Sequence, residues 1–592
     1  MVVLNRVLRK VHKEQDMGHT MCGIAAVLGA DVPLDAKDLV RHLMHRGPDA
    51  VSNWTDEWCS LAHARLSIVG LDNGTQPMVG YHGAVLTANC EIYNHNAIRQ
   101  ELIGRSWLTD SDAEAILALH EQHTSGSRTP PTAEQHRAWV SRLDGMYAFT
   151  LWDPRHRQMI LARDRWGIKP LHRVESSSCL WVASEAKAFR EIPGFTLRLD
   201  SHVLLERLAW EYCLDDTTLF ADVKQVPQGG IEVWEISDAG EAELVSVALP
   251  SPFSFVPLPW TDGSSKEMIA SLRSSVRDRL MADVDVGVVL SGGLDSSLVA
   301  SLAVEASGDV ERMTAWTVSE SEDNPDYVAA VEVAQHLDLN HRASFIDDDG
   351  LDSAIVDLVH HGEDLDVTVA FFHPLFQEVG HSHKVALCGQ GADELHAGYP
   401  RYSGPSEHGA SVSTRFDILD VPESARRYDS VYVCRDLDRI QCFDLNHGQL
   451  SNFQLRLVDR HSMAHGVEVR VPFLGATHVS SAARLGGDMR RHGAGEKVAL
   501  RAAATHVDLP PHIIQRPKLP AGRSTTPSLL ENMLDGAEDI VESMSSLHPH
   551  LASFFSIEPE TAIGLALFDA LHIRGASPKS DFWDLAQEGC SR

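Results

Sequence analysis

One stretch limits the folds open to this chain: Val286-Gly-Val-Val-Leu-Ser-Gly-Gly-Leu-Asp-Ser-Ser297. Its apolar run, Val286 to Leu290, reads as a buried parallel strand. Ser291, Gly292 and Gly293 make a tight turn, and Leu294 to Ala306 continues with helical spacing. Strand, glycine turn and helix N-terminus form an anion site, because free backbone N–H groups and the helix dipole point to one place. The glycines let the backbone approach a phosphate closely. Asp295 sits where its carboxylate can meet a metal ion. No Gly-Lys-Ser/Thr follows, so this is not a Walker loop. The bland alternative is an ordinary strand–helix turn rich in small residues.

The stretch resembles the Ser-Gly-Gly-x-Asp-Ser loop of ATP pyrophosphatases, which grip pyrophosphate while ATP adenylates a substrate. Downstream, Met313 to Ser319, His341 to Ile346 and Lys384 to Gly389 read as strands with helices between. That alternation argues a doubly wound parallel sheet, with ligands at the carboxyl ends of its strands. There the chain reads Gly389-Gln-Gly-Ala-Asp-Glu394, then Ala397-Gly-Tyr-Pro-Arg-Tyr402. This resembles the Gly-x-Gly-Ala/Ser-Asp-Glu loop of asparagine synthetases. The resemblance implies ATP bound by Leu290, Ser291, Gly292, Gly293, Asp295, Ser296 and Gly391. Mg²⁺ prefers carboxylates plus phosphate oxygens, so Asp295 and Asp393 are the metal candidates; two solvated loop aspartates are the alternative.

A second constellation opens on Met21-Cys-Gly-Ile-Ala-Ala-Val-Leu-Gly29, an apolar strand headed by a cysteine. Cut after Met21, Cys22 carries an α-amine of pKa about 8, a base for a thiol near about 8.5. Burial at a strand start is the commoner fate of a lone cysteine. In order follow His45-Arg-Gly-Pro-Asp49, Ala62-His-Ala-Arg-Leu-Ser-Ile-Val69, Gln76-Pro-Met78, Asn89-Cys-Glu-Ile-Tyr-Asn94, Thr109-Asp-Ser-Asp112, Asp144-Gly-Met-Tyr-Ala-Phe149, Ala162-Arg-Asp-Arg-Trp-Gly-Ile-Lys-Pro170 and Ser184-Glu-Ala-Lys187. The series, from Cys22 to about Gly230, resembles the glutamine amidotransferase domain of class B asparagine synthetases. The resemblance implies that Cys22 is the nucleophile, that Arg65 and Asp112 hold the carboxylate and amine of glutamine, and that Glu91 faces the substrate. It makes Asn89 and the backbone N–H of Cys90 the oxyanion hole. An Arg fork suits a carboxylate, Asp an ammonium, and an amide donor an oxyanion. The family has glycine at position 90; a positive φ there would strain a cysteine. Trp152 to Leu161 and Ile231 to Ile236 read as strands of the sandwich of two antiparallel sheets between helices that the family implies.

Val458-Asp-Arg-His-Ser-Met-Ala-His-Gly-Val-Glu-Val-Arg-Val-Pro-Phe-Leu474 reads as a helical segment and resembles another family stretch. Leu457 stands where that family commonly has lysine. Gln515-Arg-Pro-Lys518 resembles its late Arg-x-Lys, which implies that Lys518 meets the α-phosphate and the adenylate; otherwise Lys518 is a surface lysine in a turn. Departures cluster around the acceptor pocket: Gln390, Leu457, and Glu363 to Asp366.

At 592 residues the chain exceeds one domain. Residues 1–21, basic and without an apolar run, read as a propeptide or a mis-assigned start. The expected domains are an amidotransferase of αββα form over 22–246, a proline-dense linker over 247–262, and a doubly wound ATP pyrophosphatase over 263–592. Lys266 to Leu280 opens the last as an amphipathic helix, and 520–592 carries no recognisable chemistry. A net charge of −32 repels nucleic acid and anionic membranes. Nothing approaches the apolar length of a membrane helix. Nine cysteines without Cys-x-x-Cys spacing read as reduced thiols in the cytoplasm. His341, His360 and His361 read as surface or core residues rather than ligands.

The leading reading is an amide ligase with ATP and Mg²⁺ as cofactors and glutamine and a small carboxylic acid as partners. A homodimer is compatible with it. Aspartate as acceptor, making an asparagine synthetase, is one alternative. A natural-product cyclase of the β-lactam synthetase kind is another, disfavoured by the retained Cys22. A non-catalytic scaffold is disfavoured by the intact 291–297 loop, Asp393 and Lys518.

Overall fold

A computed structural model describes residues 22–30, 35–47, 49–261, 263–308, 313–421, 426–428, 436–518 and 527–591, together with the backbone of 12–14. The expectation for residues 1–21 lies, but for that short piece of backbone, outside the described residues.

Two antiparallel sheets make up the first half. One runs, in spatial order, His12–Glu14, Ala50–Thr55, Cys59–Arg65, Gly23–Leu28, Cys179–Ala183, His172–Ser176 and Lys224–Gln225. The other runs Ala242–Ala248, Ile231–Ile236, Gln158–Arg163, Gly145–Asp153, Val85–Ile92 and Met78–Val79. Side-chain alternation stacks them: Ile24, Ala26 and Leu28 turn into a shared core with Trp152, Leu161 and Trp234. Ala25 and Val27 face the other way, under the helix Ala36–Val40. Helices Glu114–Thr124 and Ala133–Val140 cover the second sheet, giving the αββα sandwich. Trp152 to Leu161, expected as one strand, is instead a hairpin. The first strand ends at Asp153, Arg157 turns the chain at φ 53°, and the next strand starts at Gln158. Apolar residues on both arms had matched a strand period across the turn.

Residues 249–261 have no regular structure, as their prolines require. They are nonetheless fastened down: Phe253 and Phe255 pack with Trp166, Leu445 and Leu474. The Asn446 side chain accepts from the Phe253 N–H at 2.7 Å and donates to its carbonyl at 3.0 Å.

The second half is built on a parallel sheet in the order Asn340–Phe345, Thr314–Ser319, Val286–Val289, Val385–Leu387, Glu468–Arg470. Helices Ser264–Asp278, Leu294–Ser307 and Pro325–His336 cover one face, where Val288 and Ala315 point. Asp348–Gly362 and Phe372–Gly380 cover the other, against Trp316 and Ala386. The strand order reverses between Val286–Val289 and Val385–Leu387, and a reversal of this kind opens a ligand crevice at the strand ends. The C-terminal helices, among them Pro559–Phe568 and Phe582–Gly589, bury Leu565, Phe568 and Leu585 in the core of Ile355 and Phe376.

Val458 to Leu474, expected as helix, is α-helical only within Arg456–Met463 and ends in a single 3-10 turn, Pro472–Leu474. Gly466 at φ 68° ends the turn after the α-helix, and Glu468–Arg470 becomes the fifth strand of the sheet. Val467-Glu-Val-Arg-Val471 alternates apolar and charged residues, which is a strand period inside a segment that opens as a helix.

The central strand depends on Gly287. A Cβ there would lie 2.1 Å from the Trp316 ring and 2.7 Å from the Thr314 carbonyl. Gly287→Ala should therefore cost about 1–3 kcal/mol of stability, read as a lower urea midpoint at unchanged slope. An unshifted midpoint would mean that Trp316 moves aside freely.

Candidate active site

Cys22 immediately precedes the strand Gly23–Leu28 and opens into a cavity lined by Arg65, Gln76, Asn89, Cys90, Glu91 and Asp112. The structure thus brings together every glutamine-site residue expected from the sequence. It adds Glu468, from the parallel sheet of the other half. Cys22 Sγ lies 3.4 Å from the Leu66 N–H, which donates to it. Burial pushes the thiol up to about 12, against the pull of Leu66 and Arg65. It is therefore neutral and needs a base at hand. Arg65 is aimed by its own loop, donating to the Gly70 carbonyl at 2.7 Å and that of Leu71 at 3.2 Å. Asn89 Nδ2 is buried without a hydrogen-bond partner, a donor held ready for an oxyanion. Gln76 pins that strand, accepting from the Ala88 N–H at 2.7 Å and donating to its carbonyl at 3.1 Å.

Cys90 is not strained. It is a strand residue opposite Tyr147, and it is absent from the described non-glycine residues of positive φ. The expected penalty for replacing glycine falls away. Its side chain instead reaches Asp112, with Sγ 3.9 Å from Oδ2. Asp112 accepts the Ile92 N–H at 2.7 Å, and burial raises its carboxyl to about 6.

The second site lies at the strand reversal. Gly292 takes φ 67°, and a Cβ there would strike Ala329 and Ala330. Ser291 and Ser296 hold each other's hydroxyls at 3.1 Å. No side chain caps the helix Leu294–Ser307, so its first N–H groups stay available to an anion. The two loops touch: a Cβ on Gly389 would lie 3.0 Å from Asp295 Cβ and from the Ser296 nitrogen. Gly391, at φ 90°, turns the second loop into the helix Ala392–His396. Asp295 and Asp393 are brought together, and Lys497 Nζ lies between them at 2.5 Å from each. Lys518 Nζ reaches Asp393 at 2.8 Å, so it belongs to the site rather than the surface. Burial opposes charge on Asp393, but the two lysines outweigh it and hold that carboxyl below its ordinary range. Asp295 Oδ1 is buried without a hydrogen-bond partner, so it keeps a lone pair for a metal bound beside phosphate. Among the described residues no group of three or more His, Cys, Asp or Glu could hold a metal alone.

Sequence reasoning missed Lys497. It stands in a Gly-Glu-Lys turn at φ 56°, with no local pattern to separate it from a surface lysine. Its place is cut by Gly398, where a Cβ would lie 1.9 Å from Asp393 Oδ1 and 2.3 Å from Lys497 Cε.

The acceptor pair is split. Gln390 Nε2 donates to Gln454 Oε1 at 3.1 Å. Glu363 turns to the amidotransferase half, accepting the N–H groups of Ala186 at 3.0 Å and Lys187 at 2.6 Å and pairing with Arg460 at 3.3 Å. Both of its oxygens are taken, so it serves the domain contact. It lies on the wall of an interdomain pocket that Arg163, Asp364, Arg456 and Arg460 also line. Leu457 is buried in the core.

Two outcomes follow. Asp112 must be ionised to hold an ammonium, so kcat/KM for glutamine should fall as pH drops through about 6; a flat profile from pH 5 to 8 would remove Asp112 from the site. Asp295→Ala, Asp393→Ala, Lys497→Met and Lys518→Met should each cut pyrophosphate release by about 10²-fold or more, leaving glutamine hydrolysis intact. Normal release in any of them would clear that residue of a role.

A glutamine amidotransferase domain model matches residues 21–244, and an asparagine synthase model matches 267–559. Among curated relatives, asparagine synthetase [glutamine-hydrolyzing] 3 of Arabidopsis thaliana is 32% identical over 84% of this chain and 78% of its own length. A probable asparagine synthetase of Schizosaccharomyces pombe is 30% identical over 88% of this chain and 87% of its own. Two sites of complementary chemistry, each with its reactive residues in its matching domain, agree with these likenesses: the chain belongs to the glutamine-hydrolysing asparagine synthetase family.

Proposed function

We propose that this protein is an ATP-dependent amide ligase that draws its nitrogen from glutamine and uses a carboxylic acid other than free aspartate as acceptor. The observation supporting two coupled half-reactions is the strand Glu468–Arg470. It belongs to the sheet of the ATP site and yet supplies a wall of the Cys22 cavity.

With residues 1–21 removed, the Cys22 α-amine takes the thiol proton. The sulfur attacks the amide carbon of glutamine while Asn89 and the backbone N–H of residue 90 hold the oxyanion. Ammonia leaves, and water hydrolyses the thioester to glutamate. In the second site the acceptor carboxylate attacks the α-phosphorus of ATP and pyrophosphate departs from the N-terminus of the helix Leu294–Ser307. Lys518 and Lys497 hold the negative charge that builds on the phosphates. Mg²⁺, held by Asp295 and Asp393 with phosphate oxygens, would neutralise the leaving group. Ammonia, moving within the protein, attacks the acyl carbon; AMP leaves and the amide forms.

The choice of acceptor rests on Gln390. Members of the resembled families commonly carry an ionisable residue at this place in the loop. Here a neutral amide pairs with a second neutral amide, Gln454. Neither offers a counter-charge for an α-ammonium or a general base. An acceptor without that ammonium, or with it masked, suits the pair. Aspartate is the competing reading, favoured by the names of the relatives. Pyrophosphate release with glutamine, ATP, Mg²⁺ and a panel of carboxylic acids decides between them. A kcat/KM for aspartate within roughly tenfold of about 10⁴ M⁻¹s⁻¹ would overturn the proposal. If aspartate is poor, Gln390→Glu should improve its use by about tenfold or more, through a charge-assisted hydrogen bond.

A further inference from the structure

Arg470 is wholly buried and belongs to the edge strand of the ATP-site sheet. Its own half fixes it: Nε donates to Glu468 Oε1 at 2.7 Å, and Nη1 donates to the carbonyls of Arg279 at 2.8 Å and Met281 at 2.5 Å. The remaining nitrogen, Nη2, crosses to the amidotransferase half and lies 3.1 Å from Glu91 Oε2. The two atoms are close but not aligned as a hydrogen bond, so each keeps bonding capacity for a third group. Glu91 and Glu468 both line the Cys22 cavity.

We propose that Arg470, a residue of the ligase half, is a positioning residue of the glutaminase site, fixing the Glu91 carboxyl where it meets the ammonium of glutamine. The proposal rests on the glutamine pocket read above. Burial, with Glu468 and Asp112 nearby, holds the Glu91 carboxyl well above the usual carboxylate range, and Arg470 is the largest pull the other way. The charged and titratable groups facing it are Glu468, Asp112, Lys169 and Arg470, with Tyr93 under the guanidinium at 5.7 Å. Lys169 Nζ stands 3.6 Å from Glu468, so Arg470 is the cation in contact with Glu91. Without it Glu91 is pushed further toward its protonated form, which gives up an acceptor for the ammonium of glutamine. The same strand hydrogen-bonds to Val385–Leu387, which leads into the Asp393 loop. A shift of that sheet therefore moves the cation under the glutamine pocket.

The test uses the full, matured chain. Arg470→Met should raise the glutamine KM about tenfold or more, with kcat changed far less, and should move the acid limb of kcat/KM to higher pH. Arg470→Lys should recover part of the loss. In a Glu91→Gln background, Arg470→Met should add little to KM. Loss of kcat at constant KM, or full additivity with Glu91→Gln, would overturn the proposal in favour of a structural role. If Arg470→Met does not fold, Arg470→Lys decides: an unchanged KM refutes the proposal and a raised one supports it. Cys22→Ala separates the two readings. If it keeps glutaminase activity, the pocket itself is misassigned, whatever Arg470 does.

Discussion

Buried charge between the two halves is the constraint on which the rest depends. Arg46 pairs with Glu185 at 2.7 Å and with Asp459 at 2.9 Å, and Arg460 returns from the ligase half to Glu185 at 3.1 Å and Glu363 at 3.3 Å. Lys187 adds to Glu185, Lys169 spans Asp459 and Glu468, and Arg470 spans Glu468 and Glu91. Cations and carboxylates balance. Burial opposes the charge on Arg46, but Asp459 and Glu185 outweigh it. Burial likewise works against Glu185, and the cations around it hold its carboxyl well below the usual range. Removing one member leaves a buried partner uncompensated, which costs about 3–5 kcal/mol in measured cases. The network also reaches the nucleophile, since Arg46 Nε lies 3.4 Å from the Cys22 carbonyl that accepts from it.

The ATP site is governed by the opposite economy, that of absent side chains. A Cβ at Gly292 would strike the helix Pro325–His336, at Gly389 would crowd Asp295 and Ser296, at Gly391 would strike Leu474, and at Gly398 would strike Asp393 and Lys497. Their smallness lets two strand-end loops touch and lets Lys497 lie between two carboxylates. The lysines keep this acidic pair in a buried crevice, and the uncapped helix beside it stays open to phosphate.

What the sequence made legible was local. The 286–297 loop could be read because strand, turn and helix follow one another and their chemistry is complete within twelve residues. The Cys22 pocket was legible only as a series of short motifs, since its residues come from separate strands. Misreadings arose where distance in the fold decides. Lys497 is remote in sequence from both aspartates it joins. Glu363 is spent on the neighbouring domain, and nothing around it in the chain predicts that partner. Val458 to Leu474 carries two periodicities in succession, and the helical one hid the strand. Cys90 was expected to suffer at a glycine position, but its backbone is an ordinary strand and the consequence of the change lies in the side chain.

Several amidotransferase motifs acquire a second meaning from this geometry. Arg46 comes from His-Arg-Gly-Pro-Asp, Lys169 from Trp-Gly-Ile-Lys-Pro, and Glu185 and Lys187 from Ser-Glu-Ala-Lys. All four meet the 458–470 segment of the ligase half, directly or through Glu185. Apolar patches alone would hold the halves together but would permit sliding, because hydrophobic contact has no direction. Charge pairs are directional, and a slip would leave a carboxylate unpaired in a dry interface. Register matters here because Glu468 is part of the glutamine cavity wall: displacing the strand that carries it would alter the pocket around Cys22. Apolar burial supplies adhesion, and the ion network supplies alignment. The glutaminase site is thereby completed by a strand that also borders the ATP site.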